Sequence, residues 1–173
     1  LTTGQSPMIC FGKGLEEGRI QPASVDCPLG DHAYCMRSAA IPKVNETVAD
    51  LIKRFCRFDF AIRPEGSILE KGVCYIIPLD IELSLTKELM AIFSPKSSVG
   101  RNDVFVRVLS DRGPRYDSTI SGYSGRLYLE VTPLSFSVQV LPGLDLTQMR
   151  LRREISPLKN YELQQLHSVY GLV

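Results

Sequence analysis

The chain has 173 residues, enough for one well-buried domain and short for two, and we treat residues 1–173 as a single domain. Hydrophobic residues make up 44% and charged residues 23%, a globular mixture that excludes a disordered or fibrous chain. With 20 Lys+Arg against 19 Asp+Glu the net charge is +1. That balance argues against a nucleic-acid or membrane coat, and any bound anion must be met by a local cluster of charge.

In chain order, Ser6-Pro7 predicts a helix start, with serine as cap and proline at the first helical position. Met8, Ile9 and Leu15 would then face a core, although Gly12 and Gly14 weaken the helix. Val48, Leu51, Ile52 and Phe55 recur at helical spacing and predict a helix over 45–56, with Asn45 as its cap. The period then falls to two. Residues 73–77, 81–85 and 89–93 are short branched or aromatic runs divided by turn residues. Val104, Val106 and Val108 alternate with Phe105, Arg107 and Leu109; Leu127, Leu129 and Val131 alternate with Tyr128 and Glu130; Phe136, Val138 and Val140 alternate with polar residues. Many short strands at this spacing predict a mostly-β sandwich or barrel. A last helix is expected over 156–170, with Leu163, Leu166 and Tyr170 on one stripe and Gly171 as its stop. The expected architecture is mostly β with a helix near each end.

The longest apolar run, 73–79, is far too short to span a bilayer and contains Pro78. No basic region followed by an apolar stretch opens the chain, so no secretory signal and no membrane partner are expected. Cys10, Cys27, Cys35, Cys56 and Cys74 are odd in number and form no Cys-x-x-Cys pair, the pattern of small buried hydrophobes in a reducing cytoplasm. His32 and His167 are too few for a transition-metal site, and the His-x-Glu and Pro-Cys-x-x-Cys of zinc nucleobase deaminases are absent. The expectation is chemistry without zinc.

Residues 94–101, Ser-Pro-Lys-Ser-Ser-Val-Gly-Arg, offer two hydroxyls, a lysine, an arginine and a glycine just after a strand, which suits a phosphate chain. Lys96, Arg101, Arg107, Arg112 and Arg115 concentrate positive charge in a nearly neutral chain. Glu130 lies mid-strand on the face opposite Leu127, Leu129 and Val131, where it is either solvated or covered by another subunit. The polar loop 111–124 is long for a connection between two strands and is a candidate for function. Asp26 and Gln148, taken alone, suit a turn and a strand.

Four segments in order resemble the dCTP deaminase branch of the dUTPase-like superfamily: Gln-Pro-Ala-Ser-Val-Asp-Cys-Pro-Leu-Gly (21–30), the phosphate segment (94–101), Gly-Tyr-Ser-Gly-Arg-Leu-Tyr-Leu-Glu (122–130), and Pro-Gly-Leu-Asp-Leu-Thr-Gln (142–148). The resemblance implies a distorted jelly-roll or β-barrel of the dUTPase-like type, assembled as a homotrimer or pseudo-trimer with sites between subunits. It implies hydrolysis of dCTP to dUTP and ammonia without zinc, with Mg²⁺ bound through the triphosphate. Glu130 matches the general acid/base, Ser97 the serine that holds the water and Arg101 the arginine beside the glutamate. Lys96 and Ser98 would touch phosphate, Asp117 would receive the deoxyribose hydroxyl, and Tyr123 and Gln148 would complete the substrate contacts. Three departures stand out: a longer loop over 109–122, a tail over 153–173 without the family's closing pattern, and a likeness to the first half of a longer two-part form. A dUTPase or bifunctional enzyme using Asp117 as base, and a non-catalytic oligomerisation or nucleotide-sensing half-domain, are the alternatives.

Overall fold

The computed structural model describes residues 7–14, 16, 18–153 and 160–171. Eleven strands and three helices are assigned among them. All strand pairings are antiparallel.

The largest sheet has the order β4 (Cys56–Ala61), β3 (His32–Met36), β6 (Cys74–Ser84), β9 (Ser124–Pro133), β8 (Val104–Ser110), with β1 (Ile9–Phe11) also paired to β6. A second sheet runs β2 (Val25–Pro28), β11 (Asp145–Arg153), β7 (Leu89–Pro95), and a third pairs β10 (Val138–Val140) with β5 (Ser67–Leu69). The sheets do not close into a barrel. The mostly-β expectation holds, in the form of packed sheets.

The inward rows of the first two sheets make the main core. Ile77, Leu79, Val106, Val108, Leu127, Leu129 and Val131 of the large sheet share one buried cluster with Cys27, Ala91, Phe93, Leu146 and Met149 of the three-stranded sheet. The opposite face of the large sheet is also covered. There Met36, Ile76 and Leu109 meet Val48 of α1 (Val48–Phe55), with Ile52, Phe55, Tyr116 and Tyr128 packed around them. This second layer corrects the expectation that the face carrying Glu130 is either solvated or covered by another subunit. The chain covers it with its own helix and its own loop.

The helix forms where its apolar spacing placed it, but Thr47 caps it, not Asn45. The reason is a capping box: Asp50 N donates to Thr47 Oγ1 at 3.1 Å and Thr47 N donates to Asp50 Oδ2 at 2.9 Å, satisfying two orphan donors reciprocally. Asp111 Oδ1 also accepts from Val48 N at 2.8 Å, which fastens the helix start to the loop after β8.

Two other differences have local causes. Residues 9–11 form β1 where a helix was expected, pairing Ile9–Phe11 with Ile81–Leu83 of β6; Gly12 and Gly14 disfavour a helix there. Ser6 and Leu15 lie outside the described residues. The runs 73–77 and 81–85 are one strand, β6, which passes through Pro78 because its pairing with β9 is irregular between Pro78 and Glu82, where a missing N–H is tolerated. The last helix, α3 (Asn160–Tyr170), ends at Gly171 (φ 55), whose N–H donates to His167 O at 2.8 Å; its expected start at Ser156-Pro157 lies outside the described residues. None of its described side chains is buried, so the stripe of Leu163, Leu166 and Tyr170 is not buried against a core among the described residues.

Candidate functional site

Three of the four sequence motifs converge on the three-stranded sheet. Gln148 on β11 stands between Asp26 on β2 and Ser94 on β7, each its direct register partner. Lys96, just past the end of β7, turns back to Asp26 and pairs Nζ to Oδ2 at 2.6 Å, with Asp26 buried. Beside them the buried Arg19 binds Asp145 of the late motif, Glu16 at 2.8 Å and the carbonyl of Gly143 at 3.2 Å. Burial raises the Asp145 carboxyl above its ordinary value, and the Arg19 charge opposes that rise. The same surroundings push the Cys27 thiol far up, chiefly through burial, so it is an inert core residue.

After Lys96 the chain makes one short helix, α2 (Ser97–Arg101). Val99 anchors it in the core, while Ser97, Ser98, Gly100 and Arg101 are exposed. A cavity of about 390 Å³ opens beside it, lined by Ser98, Asn102, Phe136, Leu144 and Asp145 among others. Two hydroxyls, an exposed arginine and a half-buried lysine on one short turn can hold an anion of several oxygens.

Glu130 belongs to a second group. It lies mid-β9 with 1% of its surface exposed, directly opposite Ile76 on β6 and Arg107 on β8. Both Arg107 Nε (3.1 Å) and Nη2 (2.6 Å) donate to Glu130 Oε1. Tyr116, from the loop between β8 and β9, donates its hydroxyl to Oε2 at 3.3 Å and lays its ring against the guanidinium, 3.6 Å from Arg107 Cζ to the ring centroid. Phe105 flanks the same guanidinium at 4.8 Å. Burial works against the Arg107 charge, yet the hydrogen bond and charge of Glu130 hold its pKa above the ordinary value. Burial, and then the Glu130 charge, push the Tyr116 hydroxyl up to about 12. The neighbouring Cys74 thiol goes up to about 12 for the same two reasons.

Asp117 explains why Tyr116 sits there. Its backbone is left-handed (φ 58), an arrangement Asp tolerates better than most residues. Its N–H donates to Val108 O at 3.0 Å, its Oδ1 accepts from Val108 N at 2.8 Å, and its O accepts from Phe93 N at 2.9 Å. The residue ties the loop to β8 and β7 at once. Its carboxylate, expected to receive a sugar hydroxyl, is engaged with a backbone amide, and burial raises its pKa. Tyr123 is likewise engaged. It is buried, its hydroxyl donates to Arg126 O and accepts from Asp111 N at 3.3 Å, and so it latches the turn between Gly122 and Gly125.

The candidate residues therefore divide. Lys96, Ser97, Ser98, Arg101 and Gln148 cluster at the three-stranded sheet, whereas Glu130 and Asp117 belong to the large sheet and its loop. Among the described residues, no hydrogen bond or ion pair joins Glu130 to Ser97 or Arg101; its partners are Arg107 and Tyr116. The positive cluster divides too: Lys96 and Arg107 are ion-paired, and Arg101, Arg112 and Arg115 are exposed. A larger cavity of about 510 Å³, lined by Cys10, Asp31, His32 and Asp80 among others, holds none of these residues. Reasoning from sequence missed Arg107 as the partner of Glu130, and Tyr116 altogether. The available signal was the outward row Phe105, Arg107, Leu109 facing the outward row Tyr128, Glu130.

Comparison with known proteins places this geometry in a family. A family model described as the N-terminal domain of 2'-deoxycytidine 5'-triphosphate deaminase matches residues 3–155. A dCTP deaminase of Halorubrum lacusprofundi is 25% identical over 142 residues, covering 82% of this chain and 67% of the relative. The crystal structure of the 2'-deoxycytidine 5'-triphosphate deaminase from Agrobacterium tumefaciens superposes with a TM-score of 0.82 at 36% identity, covering 96% of this chain and 49% of that one. This chain spans about half the length of the Agrobacterium protein. From strand order, motif placement and sequence together, the chain belongs to the dCTP deaminase N-terminal domain family.

Proposed function

We propose that the chain takes part in the zinc-independent hydrolysis of dCTP to dUTP and ammonia. The observation that carries this reading is Glu130, a carboxylate at the family's acid/base position, withdrawn from bulk water and faced by Arg107. In the proposed reaction Glu130 takes a proton from water as the water oxygen bonds to C4 of cytosine. That proton passes to N3; the proton of the new C4 hydroxyl then moves by way of Glu130 to the 4-amino nitrogen, the C4–N bond breaks, and ammonia leaves as the C4 carbonyl forms. Ser97 holds the water, Arg101 orients the site, and Lys96 and Ser98 meet phosphate oxygens. Mg²⁺ would arrive on the triphosphate, since the lysine and hydroxyls around α2 are phosphate partners and not a metal-ligand set.

The division of the site into two groups within one chain supports an assembly, a homotrimer or a pseudo-trimer, in which α2 of one copy meets Glu130 of another. Five cysteines without a disulfide suit a reducing cytoplasm. A dUTPase reading needs Asp117 as a base, and the bond from Val108 N to its carboxylate weakens that role. The non-catalytic half-domain is the second reading, favoured by the cover that Arg107 and Tyr116 place over Glu130.

The test is incubation of the purified chain with dCTP and Mg²⁺, assaying ammonia and pyrophosphate together, beside Glu130→Gln. Deamination predicts ammonia without pyrophosphate and a loss of about 10²–10⁴-fold in the variant, with nucleotide binding kept. Ammonia with pyrophosphate makes the enzyme bifunctional. Neither product, from folded protein, leaves the half-domain reading.

A further inference from the structure

The geometry points to Tyr116 as the occupant of the base's own seat, an internal stand-in for a 4-aminopyrimidine that the substrate must displace. This rests on the reading of Glu130 as the group that acts at C4 of cytosine. Three observations carry it. The Tyr116 ring stacks on the Arg107 guanidinium at 3.6 Å, and a nucleobase ring stacks on arginine in the same way. The hydroxyl of Tyr116 donates to Glu130 Oε2, the oxygen that Arg107 does not bind, and the 4-amino group of cytosine is likewise a donor on a flat ring. Glu130 at the floor of the seat is buried, while Arg107 and Tyr116 above it are half-buried, so the seat opens toward solvent on the side from which a second ring can enter.

Specificity follows from the same atoms. An ionised carboxylate is acceptor-only, so Oε2 meets an amino group favourably and the 4-carbonyl of uracil unfavourably. The seat therefore selects cytosine over uracil before chemistry begins. Displacement needs a side-chain rotation, not the opening of the whole loop. The backbone next to Tyr116 is held through Asp117 to Val108 and Phe93, while Arg112, Pro114 and Arg115 on its other side are exposed.

The experiment is calorimetric titration of dCTP and of dUTP, each with Mg²⁺, into wild type, Tyr116→Phe and Tyr116→Ala, with folding checked by circular dichroism. In parallel, wild type labelled with 3-fluorotyrosine is followed by ¹⁹F NMR, the Tyr116 signal being assigned by its absence in Tyr116→Phe. The expected results are dCTP binding about tenfold tighter in Tyr116→Ala, an intermediate gain in Tyr116→Phe, and a preference for dCTP over dUTP of at least about tenfold. Added dCTP should move the Tyr116 signal to its solvent-exposed position. Equal dCTP affinity in all three proteins, with an unmoved Tyr116 signal, overturns the seat and leaves the deaminase reading standing. No dCTP binding by any of the three overturns the deaminase reading, and the seat with it. If Tyr116→Ala fails to fold, the wild-type signal decides.

Discussion

Replacing Arg107 with methionine removes the cation opposite Glu130 while keeping an unbranched chain of similar length. Glu130 then loses both guanidinium bonds, at 2.6 and 3.1 Å, and keeps only the longer Tyr116 bond at 3.3 Å. Breaking a buried pair by removing one partner costs about 3–5 kcal/mol, because the remaining charge is left uncompensated. Arg107 is 26% exposed along its side chain, so water can enter the gap, and the low end, about 3 kcal/mol, is expected. For a chain of this size that is a fall in Tm of roughly 6–12 °C. Glu130→Gln leaves a neutral amide that can still accept from Arg107, and its cost is smaller, about 1–2 kcal/mol. In the double variant no charge is stranded, so the penalty falls well short of the sum, giving a coupling of about 2 kcal/mol. The assay is urea denaturation of the four proteins at one fixed protein concentration, comparing midpoints at constant slope. Additivity within about 0.5 kcal/mol would refute the buried pair as an energetic unit.

Asp117→Asn keeps an acceptor for the Val108 amide and tolerates the left-handed backbone. Because burial raises the folded pKa of Asp117, its contribution is full below the unfolded value of about 3.9 and is lost as pH rises through the folded value. The variant should therefore match or exceed wild type at neutral pH and flatten the urea midpoint above about pH 4; a clear loss at neutral pH would contradict the sign. The Tyr116 hydroxyl, pushed up to about 12, contributes stability that is complete below about pH 10 and lost as pH rises through the folded value. Tyr116→Phe should then hold its fold to higher pH than wild type in an alkaline titration followed by circular dichroism. Thr47→Ala removes one side of the capping box on α1 and should cost about 1 kcal/mol in urea denaturation.

The elements legible in the sequence are those whose period is visible locally. Leu127, Leu129 and Val131 identified β9 and the face on which Glu130 stands, and Val48, Leu51, Ile52 and Phe55 identified α1. What covers that face was not legible. The pairing of Arg107 with Glu130 depends on the register of β8 against β9 across a long, irregular loop, and a one-residue slip would reverse every side chain. Tyr116 reaches the guanidinium only because Asp117 adopts φ 58 and bonds two strands, a tertiary outcome with no local signature. Lys96 and Asp26 are 70 residues apart and meet only because β11 lies between β2 and β7. The motifs themselves were legible because each is a contiguous run of residues. Their division between two sheets followed from topology.

That division leads to the most direct test of the account. Glu130→Gln and Ser97→Ala, each expected to be strongly impaired alone, are mixed in equal amounts, dissociated and reassembled, and ammonia release from dCTP is measured. If Glu130 of one copy acts with Ser97 of another, random mixing restores intact sites and about a quarter of the wild-type rate. A mixture no more active than its separate components, beside an active wild type, would place both residues in one chain's site and contradict the account.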